Sequence, residues 1–271
     1  MKLPEPAPDL ALAASYERTV HASLERVWEN VLDWEHLPWL HARAFESIEK
    51  LDAGEWGWRA RLGGGGGGTP SVIELSADRE AGRYVVRTGA DGSTAPASEI
   101  WTSLAPEAED RTGVRVEFRV APLPDDALAA VGRVYVDLYT MLWDEDEEMM
   151  CERAERLHEQ ASPPPDSAVD LGTENELRAR LPLDVVFEGR RFRVIERAGR
   201  FVVHAAVCPH MLGPLFAADG DEAVLECPWH GYRYDAERGR SCDGRGLRLP
   251  ASPAVSLDAV PGRCTLVAAS G

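Results

Sequence analysis

Two short motifs, each with one cysteine and one histidine, constrain the fold of this chain more than any other feature. The first is Cys208-Pro209-His210, and the second, sixteen residues further on, is Cys227-Pro228-Trp229-His230. A [2Fe-2S] cluster with two thiolates on one iron and two imidazoles on the other needs such a pair of loops. Zinc also binds two cysteines and two histidines, but zinc fingers group their cysteines together, whereas each motif here supplies one of each. The sequence favours the iron–sulfur cluster over zinc.

The residues around the two motifs resemble the cluster-binding loops of Rieske proteins. The similarity extends through Pro209, Pro228-Trp229 and the following Gly231-Tyr232-Arg233-Tyr234-Asp235. The ligands implied by this resemblance are Cys208, His210, Cys227 and His230.

The subtype of the cluster also follows from this resemblance. Respiratory Rieske proteins have a further cysteine in each loop, which together form a disulfide, and Gly213 and Trp229 take those positions here. Those proteins also have a serine after the His-Gly pair, where this chain has Tyr232. Fewer hydrogen bonds to cluster sulfur imply a low potential, about −150 mV. The cluster is therefore expected to be of the oxygenase or ferredoxin type.

A second set of candidate metal ligands lies in the N-terminal part of the chain. Residues 29–41 read E-x3-D-x2-H-x4-H, which is similar to the mononuclear-iron motif of Rieske non-haem iron oxygenases. By this resemblance His36 and His41 are two ligands of a facial triad that leaves positions open for O2 and substrate. Asp33 would hydrogen-bond an iron-ligand histidine and couple it to the cluster. The alternative is an ordinary polar segment after a helix.

The third ligand of such a triad is a carboxylate, which in these oxygenases comes from the closing helix of the catalytic domain. The candidates are Asp144, Glu145, Asp146, Glu147 and Glu148. Helical periodicity selects Asp146, the only charge in the gap of an apolar stripe, with Asp144 as second choice. A carboxylate on that face is costly unless a positive group meets it. The alternative is that the whole acidic run is an exposed helix face. The stripe consists of Val136, Tyr139, Trp143, Met150, Ala154 and Leu157.

The order of predicted elements indicates an α+β chain. Ser23 is a good N-cap for a helix that continues to Leu32, and a long helix is predicted over residues 125–160. Strands are predicted at residues 15–21, 56–62, 72–75, 83–88, 98–104 and 113–121. This order resembles the helix-grip architecture of START-like (SRPBCC) ligand-binding domains, in which a sheet and a long helix enclose a cavity. A substrate is expected in that cavity, against Trp39, Trp56, Trp58 or Trp101.

Proline and glycine mark the connections. The glycines at 63–68 predict a flexible hairpin connection, since a phosphate loop would need a lysine and a following helix. A proline-rich run near residue 163 predicts the domain boundary. We expect a helix-grip domain over residues 1–160, a linker over 161–173 and an all-β Rieske domain over 174–271. This is the reverse of the usual order in Rieske oxygenases.

Taken together, the resemblances imply an oxygenase. The cluster would pass electrons to a mononuclear Fe(II), which activates O2 to hydroxylate or dealkylate a small organic substrate. The chain has no dinucleotide or flavin motif, so electrons from NAD(P)H are expected through a separate reductase or ferredoxin. A homo-oligomer is expected, with a trimer favoured by the family. Two alternatives are a Rieske electron carrier fused to a metal-free ligand-binding domain, and a redox sensor.

Composition narrows the setting. The 271 residues suffice for two domains, and the net charge of −17 argues against nucleic acid and anionic membranes as partners. The remaining cysteines, Cys151, Cys242 and Cys264, show no disulfide framework. Residues 1–14 lack the pattern of a signal peptide. A soluble cytoplasmic protein of bacterial type is expected.

Overall fold

The computed structural model describes residues 2–63, 71–93, 95–161, 168–257 and 262–268. The chain divides into two compact units, Met1–Cys151 and Glu152–Gly271. Most of the predicted glycine connection, and residues 162–167 of the predicted linker, lie outside the described residues. The predicted domain limits themselves stay a prediction.

The first unit is built on one antiparallel sheet of seven strands. Its elements are β1 (Ala11–Val20), α1 (Leu24–Leu32), α2 (Leu37–Leu40), β2 (Ile48–Gly54), β3 (Gly57–Leu62), β4 (Ser71–Asp78), β5 (Arg83–Ala90), β6 (Ser98–Ala108), β7 (Arg111–Val120) and α3 (Asp125–Ala161). The strand order in the sheet is β1-β7-β6-β5-β4-β3-β2. The helices α1 and α2 follow the first strand, and the long helix α3 follows the last.

The long helix α3 packs against one face of this sheet. Strand β7 alternates the buried side chains of Val114, Val116 and Phe118 with more exposed ones, as a strand with one buried face does. The Phe118 ring stacks on Tyr135 of α3 with centroids 5.1 Å apart, and meets Tyr139 edge-on at 4.8 Å. The sheet therefore grips α3, and the predicted helix-grip fold is confirmed.

Helix α1 begins and ends as its sequence predicts. The Ser23 hydroxyl accepts a hydrogen bond from the backbone N–H of Arg26 at 3.3 Å, which caps the first turn. The helix stops at Leu32 because Asp33 has an extended backbone. The short helix α2 follows after a few residues, with His36 and His41 flanking its two ends.

One strand of the sheet was not predicted. Strand β2 pairs with β3 at the edge of the sheet, and most of its residues are exposed. Its sequence, IEKLDAG, has no alternation of apolar and polar residues that would indicate a half-buried strand.

The second unit is mainly β structure, as predicted. Its described strands form three sheets of three strands each, β11-β10-β9, β12-β13-β14 and β15-β16-β8. Its elements after the end of α3 are β8 (Ala168–Thr173), α4 (Glu174–Arg180), β9 (Leu183–Phe187), β10 (Arg190–Arg197), β11 (Arg200–Ala205), β12 (Phe216–Ala218), β13 (Asp221–Glu226), β14 (Arg233–Asp235), β15 (Ala254–Leu257) and β16 (Arg263–Val267).

Strand β8 lies where the sequence predicted a linker. It pairs with β16, and its Leu171 is 2% exposed in the core of this unit. Residues 168–173 are therefore structured because they bury apolar side chains. In the part of the chain that the structure describes, no helix has a stretch long and apolar enough to cross a membrane.

Candidate metal centres

Three predicted ligands of the mononuclear site meet inside the first unit. His36, His41 and Asp146 each offer a ligand atom, and these atoms all lie within 4.8 Å of one another. Asp146 Oδ1 is 3.0 Å from His41 Nε2 and 3.6 Å from His36 Nε2. All three residues are buried, with exposures of 9% or less. Two neutral imidazoles and one carboxylate form the donor set of a non-haem Fe(II) site.

The opposite nitrogen of each ring faces another carboxylate. His41 Nδ1 lies 2.7 Å from Glu145 Oε2, and His36 Nδ1 lies 3.6 Å from Asp33 Oδ2. The His41 contact has the arrangement found at metal-binding histidines, in which a carboxylate on one nitrogen fixes the tautomer and leaves the other nitrogen to the metal, whereas the His36 contact exceeds hydrogen-bond distance. The arrangement of the rings therefore fits a metal on the Nε2 side.

Burial and hydrogen bonding have opposite effects on the pKa values of His41 and Asp146. Burial opposes protonation of His41, but hydrogen bonds and the negative charges of Asp146 and Glu145 outweigh it and raise the pKa of His41. Burial also opposes ionisation of Asp146, yet its contacts with His41, His36 and Asn30 lower its pKa. Asp146 is thus kept as the carboxylate that a metal ligand must be.

Asp146, the first choice from the helical pattern, lies with the histidines, whereas Asp144 does not. The Asp144 side chain is 63% exposed and pairs with Arg18 at 2.8 Å. Glu148 is also exposed. The acidic run of α3 is therefore divided, with one carboxylate on the buried face and others in solvent.

Two polar residues have roles in the site that the sequence does not predict, although Glu145 is among the five candidate carboxylates. Glu145 holds His41, and the Asn30 amide donates to Asp146 Oδ1 at 2.9 Å. Asn30 could have been found, because it is a polar residue on the apolar face of α1, between Val27 and Val31. Glu145 gave no such signal, since its neighbours in the acidic run carry the same charge.

A cavity of about 100 Å³ adjoins the three side chains. Trp58 lines it, with its indole N–H donating to the Val31 carbonyl at 3.1 Å. Of the four tryptophans expected there, Trp58 lines the cavity, and Trp39, Trp56 and Trp101 do not. Trp39 is 46% exposed, and Trp101 donates to Glu99 away from the cavity. The rest of the lining is mostly apolar and includes Leu37, Phe45, Ile73, Leu75, Tyr84, Val86, Tyr139, Leu142 and Trp143.

The two cysteine-histidine motifs come together in the second unit. Cys208 and Cys227 are each 1% exposed. The rings of His210 and His230 lie edge to face with centroids 4.6 Å apart, and His210 stacks on Tyr232 at 4.4 Å. Two buried thiols and two adjacent imidazoles on facing loops are the donor set of a mixed-ligand [2Fe-2S] cluster.

Each motif sits on a tight turn closed by backbone hydrogen bonds. The N–H of Cys208 donates to the Gly213 carbonyl at 2.8 Å, and the N–H of Cys227 donates to the Tyr232 carbonyl at 2.9 Å. Leu212 and Gly231 both have φ of +64°, the left-handed conformation that such turns require. The turns therefore fix the backbone of both motifs.

Gly213 leaves room that a side chain would fill. A Cβ added there would lie 2.6 Å from Cys227 Sγ and 2.9 Å from the Trp229 ring, closer than real contacts allow. The Cys208 thiol is also shifted toward the thiolate, the form that binds metal, whereas the hydrogen bond with Cys208 and burial raise the pKa of Cys227. A hydrogen bond from Cys227 is the main reason that the pKa of Cys208 is lowered to about 7, and Tyr234, with Oη 3.2 Å from Cys208 Sγ, adds to this effect against the cost of burial. The loops fit a cluster.

Comparison with known families agrees with this geometry. Residues 167–255 match the family described as the Rieske [2Fe-2S] domain. The C-terminal part of this chain is therefore a Rieske domain, which implies an iron–sulfur electron-transfer function. The helix-grip domain precedes it, so the predicted reversal of domain order is confirmed. No curated protein matches the sequence.

Several solved structures are similar to this chain. They include the Zhui aromatase/cyclase from Streptomyces sp. R1128 (16% identity, TM-score 0.41, covering 52% of this chain and 94% of that one). Norcoclaurine synthase from Thalictrum flavum is 16% identical with a TM-score of 0.40, covering 56% of this chain and 96% of its own. A START superfamily protein from Mycobacterium smegmatis is 20% identical with a TM-score of 0.36, covering 51% and 95%. The helix-grip fold is defined by the strand order and helix packing described above.

Proposed function

We propose that this protein is a Rieske-type non-haem iron oxygenase that hydroxylates or dealkylates a small organic substrate. The observation that carries the proposal is the buried set of His36, His41 and Asp146, in a chain that also has a Rieske domain. A buried carboxylate needs a nearby cation to offset its charge, and a metal ion between the three side chains would supply one, as a protonated His41 would in its absence. Metal binding would explain why two histidines and a carboxylate are buried together, which packing alone does not.

In this proposal His36, His41 and Asp146 hold Fe(II). When bound, the iron supplies activation of O2 with electrons from the cluster. Glu145 orients the His41 ring through Nδ1, and Asn30 orients the Asp146 carboxylate. Asp33, beside His36 Nδ1, is the proposed residue that couples the iron site to the cluster. The apolar cavity of about 100 Å³ beside these side chains would take an apolar part of the substrate and exclude water there.

The cluster would be held by the two motifs of the Rieske domain. Cys208 and Cys227 would bind one iron as thiolates, and His210 and His230 would bind the other. The burial of both thiols and the space left by Gly213 support this assignment. Electrons would come from NAD(P)H through a separate reductase or ferredoxin, and a homotrimer is the assembly that the family resemblance favours.

The iron content of the protein tests the proposal. Iron and acid-labile sulfide per chain are measured on anaerobically purified wild type and on a His36→Ala/His41→Ala variant. We expect about three irons and two sulfides in the wild type, and two of each in the variant. A His21→Ala/His158→Ala variant is the matched control, because its two histidines lie outside both centres and are exposed.

Other outcomes have distinct meanings. Two irons and two sulfides in both the wild type and the His36→Ala/His41→Ala variant would refute the oxygenase. That result would support an electron carrier whose helix-grip cavity binds a ligand without iron. Metal without sulfide in the wild type would instead favour zinc at the cysteine-histidine motifs.

A further inference from the structure

A buried arginine touches both loops of the Rieske domain. Arg156, from the last turns of α3, lies in the second unit and is 8% exposed. Its guanidinium donates to the backbone carbonyl of Leu212 in the first loop. The same group lies over the ring of Trp229 in the second loop, 5.3 Å from its centroid. Arginine is well suited to this position, since its planar fork donates hydrogen bonds and stacks on an aromatic face at the same time.

Both contacts fall within the turns that carry the proposed ligands. Leu212 is in the left-handed conformation and donates its N–H to the Cys208 carbonyl at 3.1 Å. Trp229 stands between Cys227 and His230, and its ring faces Gly213 so closely that a Cβ there would be 2.9 Å away. Arg156 thus contacts the backbone of the first loop, at Leu212, and the aromatic ring of Trp229 in the second loop.

The charge of Arg156 is also relevant, because reduction adds one negative charge to a cluster. A nearby buried cation stabilises the reduced form and raises the reduction potential, since potentials follow net charge and exposure. Glu152 accepts a second hydrogen bond from the guanidinium. Removal of Arg156 would eliminate its positive charge and would also leave the Glu152 carboxylate without its cation. Both changes lower the reduction potential of the cluster.

We infer that Arg156 is a positioning residue of the Rieske domain. It holds the two cluster loops together through its contacts with Leu212 and Trp229, and it raises the reduction potential of the cluster. The inference rests on the proposed cluster ligands and is independent of the mononuclear iron. It assigns a role to a residue outside both motifs, supplied by a helix that precedes the Rieske domain in the chain.

The test uses the full-length protein and three variants. Arg156→Gln removes the charge and the planar guanidinium, Arg156→Lys keeps the charge without the planar guanidinium, and Arg248→Gln is the control. Arg248 lines the same cavity of about 600 Å³ as Arg156 but is exposed, so its charge is screened by solvent. Two quantities are measured, the rate of iron loss to a chelator and the midpoint potential in a redox titration followed by visible absorption.

We expect Arg156→Gln to lose its cluster about tenfold faster than wild type, the factor that matches loss of a hydrogen bond from a charged group. Its midpoint potential should shift to a lower value. Arg156→Lys should lose the cluster faster than wild type but keep a potential close to the wild-type one. Arg248→Gln should match the wild type in both quantities.

The inference is overturned if the Arg156 variants and Arg248→Gln behave alike while the wild type holds a cluster. If Arg156→Gln retains no cluster after purification, Arg156→Lys decides, because a loss rate equal to that of Arg248→Gln also overturns the inference. A wild-type protein without acid-labile sulfide overturns both the proposed cluster and the role of Arg156. Failure of the inference alone is thereby distinguished from failure of the proposed function.

Discussion

At the scale of single residues, the His41 ring is held between two carboxylates. Asp146 lies at Nε2 and Glu145 at Nδ1, at 3.0 and 2.7 Å. Of these two carboxylates, Asp146 is the one on the Nε2 side, where it could bind the same metal ion as His41. Glu145 would act through His41, by fixing its tautomer and increasing its basicity.

Replacement of Glu145 with alanine should weaken metal binding at the mononuclear site by about 10- to 100-fold, the usual cost of losing such a partner. The affinity can be measured by titration with Co(II), whose visible spectrum reports coordination. Asp144→Ala is the matched control, because Asp144 is the adjacent carboxylate but is mostly exposed. Equal Co(II) affinity in the two variants would show that Glu145 has no positioning role.

The sequence predicted most of this site, and the physical reasons are specific. His36, His41 and Asp33 lie within nine residues of the chain, so a short segment is enough to bring their side chains into one region. Asp146 could be selected because α3 has a regular period that shows which carboxylate faces inward. Glu145 could not be selected, because its contact with His41 depends on where α2 lies against α3, which no local pattern encodes.

At the scale of elements, strands β5 and β6 are joined by a buried ion pair. Glu99 of β6 is fully buried and accepts hydrogen bonds from the Arg87 guanidinium at 2.7 and 2.9 Å. It also accepts from the Trp101 indole and from the backbone N–H of Ala7. Burial alone would raise the pKa of Glu99, but these hydrogen bonds and the charge of Arg87 lower it.

The lowered pKa makes stability depend on pH in a defined direction. The folded-state pKa lies below the ordinary value of about 4.3 for glutamate, so the stabilisation by Glu99 is complete above that value. It is lost as the pH falls through the lowered folded-state pKa. We expect Glu99→Gln to reduce the free energy of unfolding by about 1–3 kcal/mol at pH 7, with the difference from wild type shrinking toward pH 3.

Urea unfolding of both proteins from pH 7 to pH 3 measures this difference. Glu17→Gln is the control, because the Glu17 side chain is 67% exposed and its pair with Arg115 spans 3.5 Å. Such exposed pairs contribute about 0–1 kcal/mol. A difference for Glu99→Gln that stayed constant over the whole pH range would mean that its ionisation is unimportant.

Elements with a clear apolar period were predicted well, and those without one were not. Helix α3, predicted over 125–160, spans Asp125–Ala161, because this stretch contains no proline and is rich in strong helix formers. Strand β2 was missed since an exposed edge strand needs no alternation. Strand β8 was assigned to a linker because it directly follows a proline-rich run. Its pairing with β16, almost a hundred residues away, decides its structure.

At the scale of the whole molecule, each unit has a hydrophobic core of its own. The core of the first unit includes Val27, Val116 and Trp143, and that of the second includes Leu177 and Phe192. Separate cores let the two units respond differently when one of them loses a bound group.

Removal of the cluster should therefore loosen the Rieske domain selectively. The free energy of metal binding contributes to the folding of the residues that bind it. We expect chelation to increase amide hydrogen exchange at residues 208–215 and 227–232, while strands β4 to β7 keep their protection. Hydrogen exchange followed by mass spectrometry measures both regions in one sample. Loss of protection throughout β4 to β7 would contradict the prediction, and so would unchanged exchange in the two loops.

The division into two units also separates the chromophores of the protein. Of its eight tryptophans, seven lie in Met1–Cys151, and Trp229 alone lies in Glu152–Gly271, between two of the proposed ligands. Ultraviolet-excited emission therefore reports almost entirely on the helix-grip unit, and Trp229→Phe would make that separation complete. The colour of the cluster would report on the other unit. The unfolding of each unit can thus be followed in one sample of the intact protein, by tryptophan fluorescence for the first unit and by visible absorption for the second.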